Sequence, residues 1–178
     1  VACDGLTFVA VTSRQFIEQP NALKSQNGTN WTPITFPNAL PEQFRSFYTH
    51  SLTTVGSVFI AGGSANIVSD IWKSSGGTTW QNVRNAGHAI QGIAYGNGRL
   101  ISIGIEGNAL ISTNVPSFQT WFSSPYYTNQ CFFDSCPLQG SGIAFGNSTF
   151  VALHWTSSFS SDPGLIVTTN GLTWSNRS

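Results

Sequence analysis

Short apolar, β-branched runs recur along the chain, separated by breaks rich in glycine, asparagine and serine. The clearest unit starts at Gln91-Gly92-Ile93-Ala94-Tyr95 and turns at Gly96-Asn97-Gly98-Arg99. It continues through Leu100-Ile101-Ser102-Ile103-Gly104 and Asn108-Ala109-Leu110-Ile111-Ser112 to Trp121. This pattern predicts strand a, turn, strand b, loop, strand c, turn and strand d. A later unit repeats it: Ile143-Ala144-Phe145, Gly146-Asn147-Ser148-Thr149, Phe150-Val151-Ala152-Leu153, Gly164-Leu165-Ile166-Val167-Thr168 and Trp174. Two looser units precede these, one through Val58-Phe59-Ile60-Ala61 to Trp80, the other from Val1-Ala2-Cys3 and Phe8-Val9-Ala10-Val11 to Trp31. No stretch keeps a helical period. Ala39-Leu40-Pro41-Glu42-Gln43-Phe44 admits one turn of helix, and its proline and short length argue against more.

Each unit closes on a turn that ends in tryptophan. The copies are Ser25-Gln26-Asn27-Gly28-Thr29-Asn30-Trp31, Ser74-Ser75-Gly76-Gly77-Thr78-Thr79-Trp80 and Thr168-Thr169-Asn170-Gly171-Leu172-Thr173-Trp174. A fourth is stretched, running from Ser112-Thr113-Asn114 to Thr120-Trp121. Asn-Gly and Gly-Gly supply the positive φ values of tight turns. The tryptophans are 49, 41 and 53 residues apart, and four short strands in ~40–50 residues is the period of a propeller blade. The expectation is an all-β chain, a β-propeller of four four-stranded antiparallel blades. Residues 1–178 form a single domain, with repeats at about 1–40, 46–86, 90–125 and 141–178. Trp31, Trp80, Trp121 and Trp174 are expected as core anchors, since burying a ring of ~200 Å² at about 25 cal/mol per Å² contributes several kcal/mol.

These turns resemble the Asp-box (BNR) repeat, roughly Ser/Thr-x-Asp-x-Gly-x-Thr-Trp and its compact form with Asp and Gly adjacent. The resemblance covers nearly the whole chain. It implies a propeller of the kind found in sialidases and in many non-enzymatic secreted or surface proteins. The aspartate itself is missing, and Asn27, Gly76, Asn114 and Asn170 stand in its place. In that family the residue is structural, so its replacement bears on the turn more than on function.

Composition narrows the partners. Charged residues make up 8% of the chain, seven basic and seven acidic, about a third of the usual share. That excludes the basic footprint of a nucleic-acid binder and an electrostatically held membrane surface. No apolar run approaches a membrane span. The polarity comes from Ser, Thr, Asn and Gln, as is common in extracellular β proteins; such surfaces repel one another weakly, which admits self-association. Val1-Ala2-Cys3 reads as strand rather than leader, so a secreted protein would be met here in mature form or as an excerpt. Cys131 and Cys136 flank a four-residue loop and are expected to form a local disulfide in an oxidising compartment. Cys3 is expected as a buried thiol of the first strand; the alternative is an intermolecular or redistributed bridge. Glycosylation sequons occur at Asn27, Asn30, Asn147 and Asn176.

The repeat frame assigns loops to faces. The a–b and c–d turns fall at one end of each blade, and the longer b–c and d–a connections fall at the other. Most length variation, most acids (Glu18, Glu42, Asp70, Glu106, Asp134, Asp162) and all three histidines (His50, His88, His154) lie at the second end. Loops on a regular scaffold carry function, so the candidate ligand-binding residues are Tyr126, Tyr127, Trp155, His154, Tyr48, Arg45, Arg84 and Asp162. Aromatic faces pack sugar CH groups while polar neighbours meet hydroxyls. The histidine spacing fits no metal motif, so no metal and no cofactor are expected, and no Ser/His/Asp, Cys/His or phosphate-loop signature is present. The reading is a non-enzymatic extracellular adhesion or binding propeller that recognises a glycan or a surface protein. The alternative is a self-assembling subunit of a surface layer or filament. A further alternative is a sialidase-like glycoside hydrolase, for which Arg14, Arg45, Arg84, Glu18, Tyr48 and Asp70 supply the residue types.

Overall fold

Left-handed residues sit where the repeat frame places tight turns. Asn97 (φ 48°) and Gly98 (φ 70°) occupy one a–b turn, and Asn147 (φ 48°) and Ser148 (φ 58°) occupy another. Two successive positive φ values match the twist of the strands they join. The structure, a computed structural model, describes residues 1–14, 22–36, 47–65, 68–87, 89–104, 107–115, 117–125, 139–155 and 164–177. Among the described residues every regular element is a strand.

The chain divides into two compact units, Val1–Ala89 and Ile90–Ser178. In the first unit β1 (Ala2–Cys3), β2 (Phe8–Val11), β4 (Ala22–Ser25) and β5 (Thr32–Ile34) form one sheet in the order β1-β2-β4-β5. The other sheet of that unit comprises β3 (Ser13–Arg14), β6 (Phe47–Val55), β7 (Val58–Ala65), β8 (Val68–Ser75) and β9 (Gln81–Asn85), ordered β3-β6-β7-β8-β9. In the second unit the third sheet is the meander β10 (Ile90–Gly96), β11 (Arg99–Gly104), β12 (Asn108–Ser112) and β13 (Trp121–Pro125). The fourth is β14 (Gln139–Gly146), β15 (Thr149–Trp155), β16 (Gly164–Thr168) and β17 (Ser175–Arg177). Neighbours within each sheet are antiparallel.

The second sheet keeps its four-stranded blade, β6-β7-β8-β9, and gains an edge pairing: Ser13 and Arg14 pair with Tyr48 and Phe47 as a two-residue fifth strand. A strand edge offers unpaired N–H and C=O groups, and a passing segment satisfies them.

In the first unit Val9, Ala22, Phe36, Phe59, Ala61, Trp72 and Trp80 form the core. The Phe36 ring stacks on Trp80 at 4.4 Å and meets Trp72 at 5.6 Å. In the second unit Ile101, Ile103, Ala109, Ile111, Phe150, Ala152 and Ile166 gather with Ala94. Sheet meets sheet through the turns. A Cβ on Gly77 would lie 2.5 Å from Val9 Cγ2, and one on Gly171 would lie 2.6 Å from Ile101 Cδ1. Both glycines also have positive φ, so conformation and space demand glycine together.

Trp80 alone of the four turn tryptophans is buried; Trp31, Trp121 and Trp174 are half-buried. The expectation of four core anchors is corrected accordingly. Trp80 differs in having the Phe36 ring stacked on it; otherwise all four indoles lean back over their own turns. Each N–H donates to the carbonyl three residues earlier, Gly28 at 3.1 Å, Gly77 at 3.3 Å, Phe118 at 2.8 Å and Gly171 at 2.9 Å. Cys3 is also corrected, since it is exposed rather than buried. It stands at the first strand's end, where its Sγ accepts the Gly5 N–H at 3.3 Å.

Candidate functional site

The turns ending in tryptophan are built from side-chain acceptors. In the first, Asn27 Oδ1 accepts the N–H groups of Thr29 at 3.0 Å and Asn30 at 2.9 Å, while Ser25 Oγ accepts from Gly28 at 2.9 Å. In the fourth, Asn170 Oδ1 accepts from Leu172 at 2.8 Å and Thr173 at 3.0 Å, and Thr168 Oγ1 accepts from Gly171 at 2.8 Å. The second turn has Gly76 in place of the asparagine, and both Gly76 and Gly77 take φ +74°. There the Ser74 hydroxyl is buried without a partner among the described residues, as is Ser112 in the third. The third turn places Phe118 at the glycine position with φ 54°. These turn residues are committed to scaffold.

The opposite ends of the sheets carry the chemistry. Strand a of three sheets has a register shift at the same place, leaving His50, Gln91 and Ser141 as the extra residues. A bulge bends a strand and re-aims side chains, and bulges concentrate beside functional sites. Beside the bulge the second and fourth sheets each carry a glycine paired with a polar residue at the equivalent register. Gly63 pairs with Asp70, and His154 pairs with Gly164; each pair lies four residues along strand b from its turn partner, Phe59 or Phe150. In the fourth sheet the glycine makes room for the polar group, because a Cβ on Gly164 would overlap the His154 ring.

Asp70 is 2% exposed and His154 is 7% exposed, so both titrate out of the ordinary. Burial disfavours the charged form and pushes the Asp70 carboxyl up from 3.8, partly offset by a hydrogen bond from the Asn82 side chain. Its Oδ2 has no partner among the described residues. Burial also holds His154 below its ordinary 6.5, and its Nδ1 likewise has no partner among the described residues. Desolvation lowers His50 in the same way.

Of the residues singled out from sequence, Tyr126, Tyr127, Arg45, Asp162, His88, Cys131 and Cys136 lie outside the described residues. Tyr48 is placed in β6 opposite Ser64, and Trp155 ends β15 opposite Gln139. Arg84 is exposed on β9 opposite Ile71, one position from the Asp70–Asn85 pair. Within the first unit the strands thus bring together Tyr48, Asp70 and Arg84 at one end of one sheet, with His50 at the bulge. In the second unit, His154 and Trp155 share the end of β15. Among the described residues no group of three His, Cys, Asp or Glu side chains gathers. The sequence pattern does not mark Asn82 or the glycine row. Counting residues from each turn would have found the row, since it puts Asp70 and His154 at equivalent heights.

No protein-family model matches the chain, and no curated protein sequence matches it. Solved structures do. A GH43 glycoside hydrolase with an engineered active site, displaying endo-xylanase and exo-arabinofuranosidase activity, is similar over 99% of this chain and 40% of its own, with TM-score 0.58 and 14% identity. A GH130 structure, from a family of mannoside phosphorylases that contains hydrolases of β-1,2-mannosidic linkages in Candida mannan, matches over 98% of this chain and 67% of its own, with TM-score 0.58 and 12% identity. YCF48 from Cyanidioschyzon merolae matches over 98% and 60%, with TM-score 0.54 and 13% identity. The chain is a β-propeller of four antiparallel blades, the four sheets described above. It spans less than half the length of the GH43 protein. Identities this low establish fold and no more. Glycoside hydrolases nevertheless recur among the matches, and they overturn the expectation of a non-enzymatic adhesion module.

Proposed function

We propose that the chain acts in glycoside processing, as all or part of a β-propeller glycoside hydrolase with Asp70 as its proton-holding carboxyl. The observation that carries this reading is the state of Asp70. Glycosidic cleavage needs a carboxylic acid that keeps its proton near neutral pH and gives it to the leaving oxygen. Burial holds Asp70 toward that form, Asn82 fixes the group, and Oδ2 has no partner among the described residues. Asp4, the other described acid, is spent on its turn, accepting the N–H groups of Leu6 at 3.0 Å and Thr7 at 2.8 Å. The second carboxyl of the reaction is sought among the other acids of the first unit, Glu18 and Glu42. In this reading His50, at the bulge of the same sheet, and Arg84 bind sugar hydroxyls beside Asp70.

The turns are read as Asp-box-like. Supporting this, the Asn27 and Asn170 amide oxygens accept two backbone N–H groups each, a task suited to a carboxylate. An extracellular setting accords with polymeric glycan substrates and with the charge-poor composition.

The test is release of reducing sugar from arabinan, xylan and β-1,2-mannan, together with turnover of aryl glycosides. Asp70→Asn is expected to lower kcat by about 10²–10⁴-fold, the usual contribution of a general acid, with the circular dichroism spectrum unchanged. Wild-type activity should fall as pH rises through the raised Asp70 pKa, because the acid is then lost. Absence of turnover on every substrate, or full activity in Asp70→Asn, refutes the reading.

A further inference from the structure

A cavity of about 420 Å³ opens in the first unit at the turn end of the blades. Lys24, Gln26, Asn27, Asn30 and Thr32 line it from the first blade, and Thr78 lines it from the turn of the second. This is the end of the blades opposite the Asp70 row. Lys24 Nζ donates to Thr78 Oγ1 at 2.7 Å, which fixes the ammonium across the blade junction. Among the described residues no carboxylate belongs to the lining.

The repeat frame shows what is unusual here. Lys24 pairs with Val9; the equivalent positions of the second unit are Ile111, opposite Ile101, and Val167, opposite Val151. Ile111 is fully buried and would lie 3.0 Å from a Cβ on Gly171, so there the aliphatic side chain fills the junction under the neighbouring turn. The second blade also carries a lysine at this height, Lys73, but Lys24 is the one that lines the cavity. A cation has replaced packing, and its protein partner is a neutral hydroxyl. A positive group set among amides and hydroxyls leaves its charge to be met by a ligand.

We propose that this cavity is a secondary subsite for a uronate-bearing glycan, with the Lys24 ammonium on the sugar carboxylate and the Gln26 and Asn30 amides on its hydroxyls. The choice of a glycan rests on the glycoside-processing reading, which it extends to a substrate class. The subsite lies at the other end of the blades from Asp70, and its binding is measured without turnover. Asn27 contributes structure rather than contact, since its Oδ1 is occupied by the turn.

The test is native electrophoresis of the full chain through gels containing polygalacturonate or neutral arabinan, with titration calorimetry against trigalacturonate. The wild type is expected to be retarded by the polyuronide and not by arabinan. Lys24→Ile, which installs the residue type of the second unit, should weaken binding at least about tenfold, the loss of one charge-assisted contact. Asn27→Asp keeps the turn acceptor and sets a carboxylate beside the ammonium, so it should also weaken binding. Unchanged thermal midpoints show that both variants are folded. Asp70→Asn should keep its retardation, so a failure of the catalytic reading and a failure of this one are separately visible. The proposal is overturned by equal retardation in both polymers, by no retardation in either, or by Lys24→Ile within about twofold of wild type. Displacement by acetate as effective as by trigalacturonate also overturns it, because the site would then be a bare anion contact.

Discussion

Gly76 and Gly77 offer a controlled experiment on how the blades are held together. The two are adjacent, both have φ +74°, and they differ in surroundings. A Cβ on Gly76 meets nothing within 4 Å, whereas one on Gly77 falls 2.5 Å from Val9 Cγ2. Val9 is fully buried, and a β-branched side chain in a packed core has few rotamers to escape into. Gly76→Ala therefore carries only the left-handed backbone penalty, about 1–2 kcal/mol. Gly77→Ala carries the same penalty plus overpacking, typically ~1–3 kcal/mol, for a total of about 2–5 kcal/mol. In a chain of this size each kcal/mol lowers the melting temperature by about 2–4 °C. Urea unfolding followed by tryptophan fluorescence reads both variants, because Trp80 is buried three residues from Gly77. Gly77→Ala no less stable than Gly76→Ala would refute the claim that the turn glycine seats one blade on the next. Gly171→Ala should fall between them, since its closest obstacle is Ile101 Cδ1, the far end of a longer side chain.

Three further outcomes follow from the same geometry. Asn170→Ala removes the acceptor of two backbone N–H groups and should cost about 1–2 kcal/mol, while Asn170→Asp should retain the stability; thermal melts separate them. Phe118→Gly relieves a positive φ worth about 1–2 kcal/mol, but it empties a site where the ring is 1% exposed, at about 3–5 kcal/mol, so the net change in urea midpoint is destabilising. For His154 the folded pKa lies below 6.5, so below that pH the unfolded chain binds more protons. Its neutral burial is fully tolerated above about pH 6.5 and becomes a loss of stability as pH falls toward the depressed value. Urea midpoints across that window should decline on acidification, and His154→Gln should flatten the decline.

Strand order, turn positions and the count of blades were legible because they rest on local chemistry. Alternating and continuous apolar runs set the strands. Asn97-Gly98 and Asn170-Gly171 set turns that few other residue pairs can make. The four tryptophans marked the repeat without help from tertiary contacts. Where reasoning from sequence failed, the deciding contact was nonlocal or lay in how far a side chain reached. Ser13 and Arg14 became a strand because the β6 edge was available to them. Cys3 is exposed because a two-residue strand ends there. All four indole N–H groups find a carbonyl within their own turn, and Trp80 alone is buried because Phe36 stacks on it.

The candidate site divides in the same way. Counting strands from a turn predicts at which end of a blade each residue lies, and it puts Asp70 and His154 at equivalent heights, as the register does. It did not tell Asp70 from the other acids. That distinction is a matter of burial and of Asn82 reaching the carboxyl from the neighbouring strand, and both depend on register across a sheet. Lys24 likewise reads in sequence as an ordinary strand lysine. Only packing of the first blade against the second, with Thr78 brought to Nζ across 54 residues of chain, makes it the centre of a cavity. Local propensity fixes which way each strand runs and where it turns; desolvation and charge are properties of what is packed alongside, and those the tertiary structure decides.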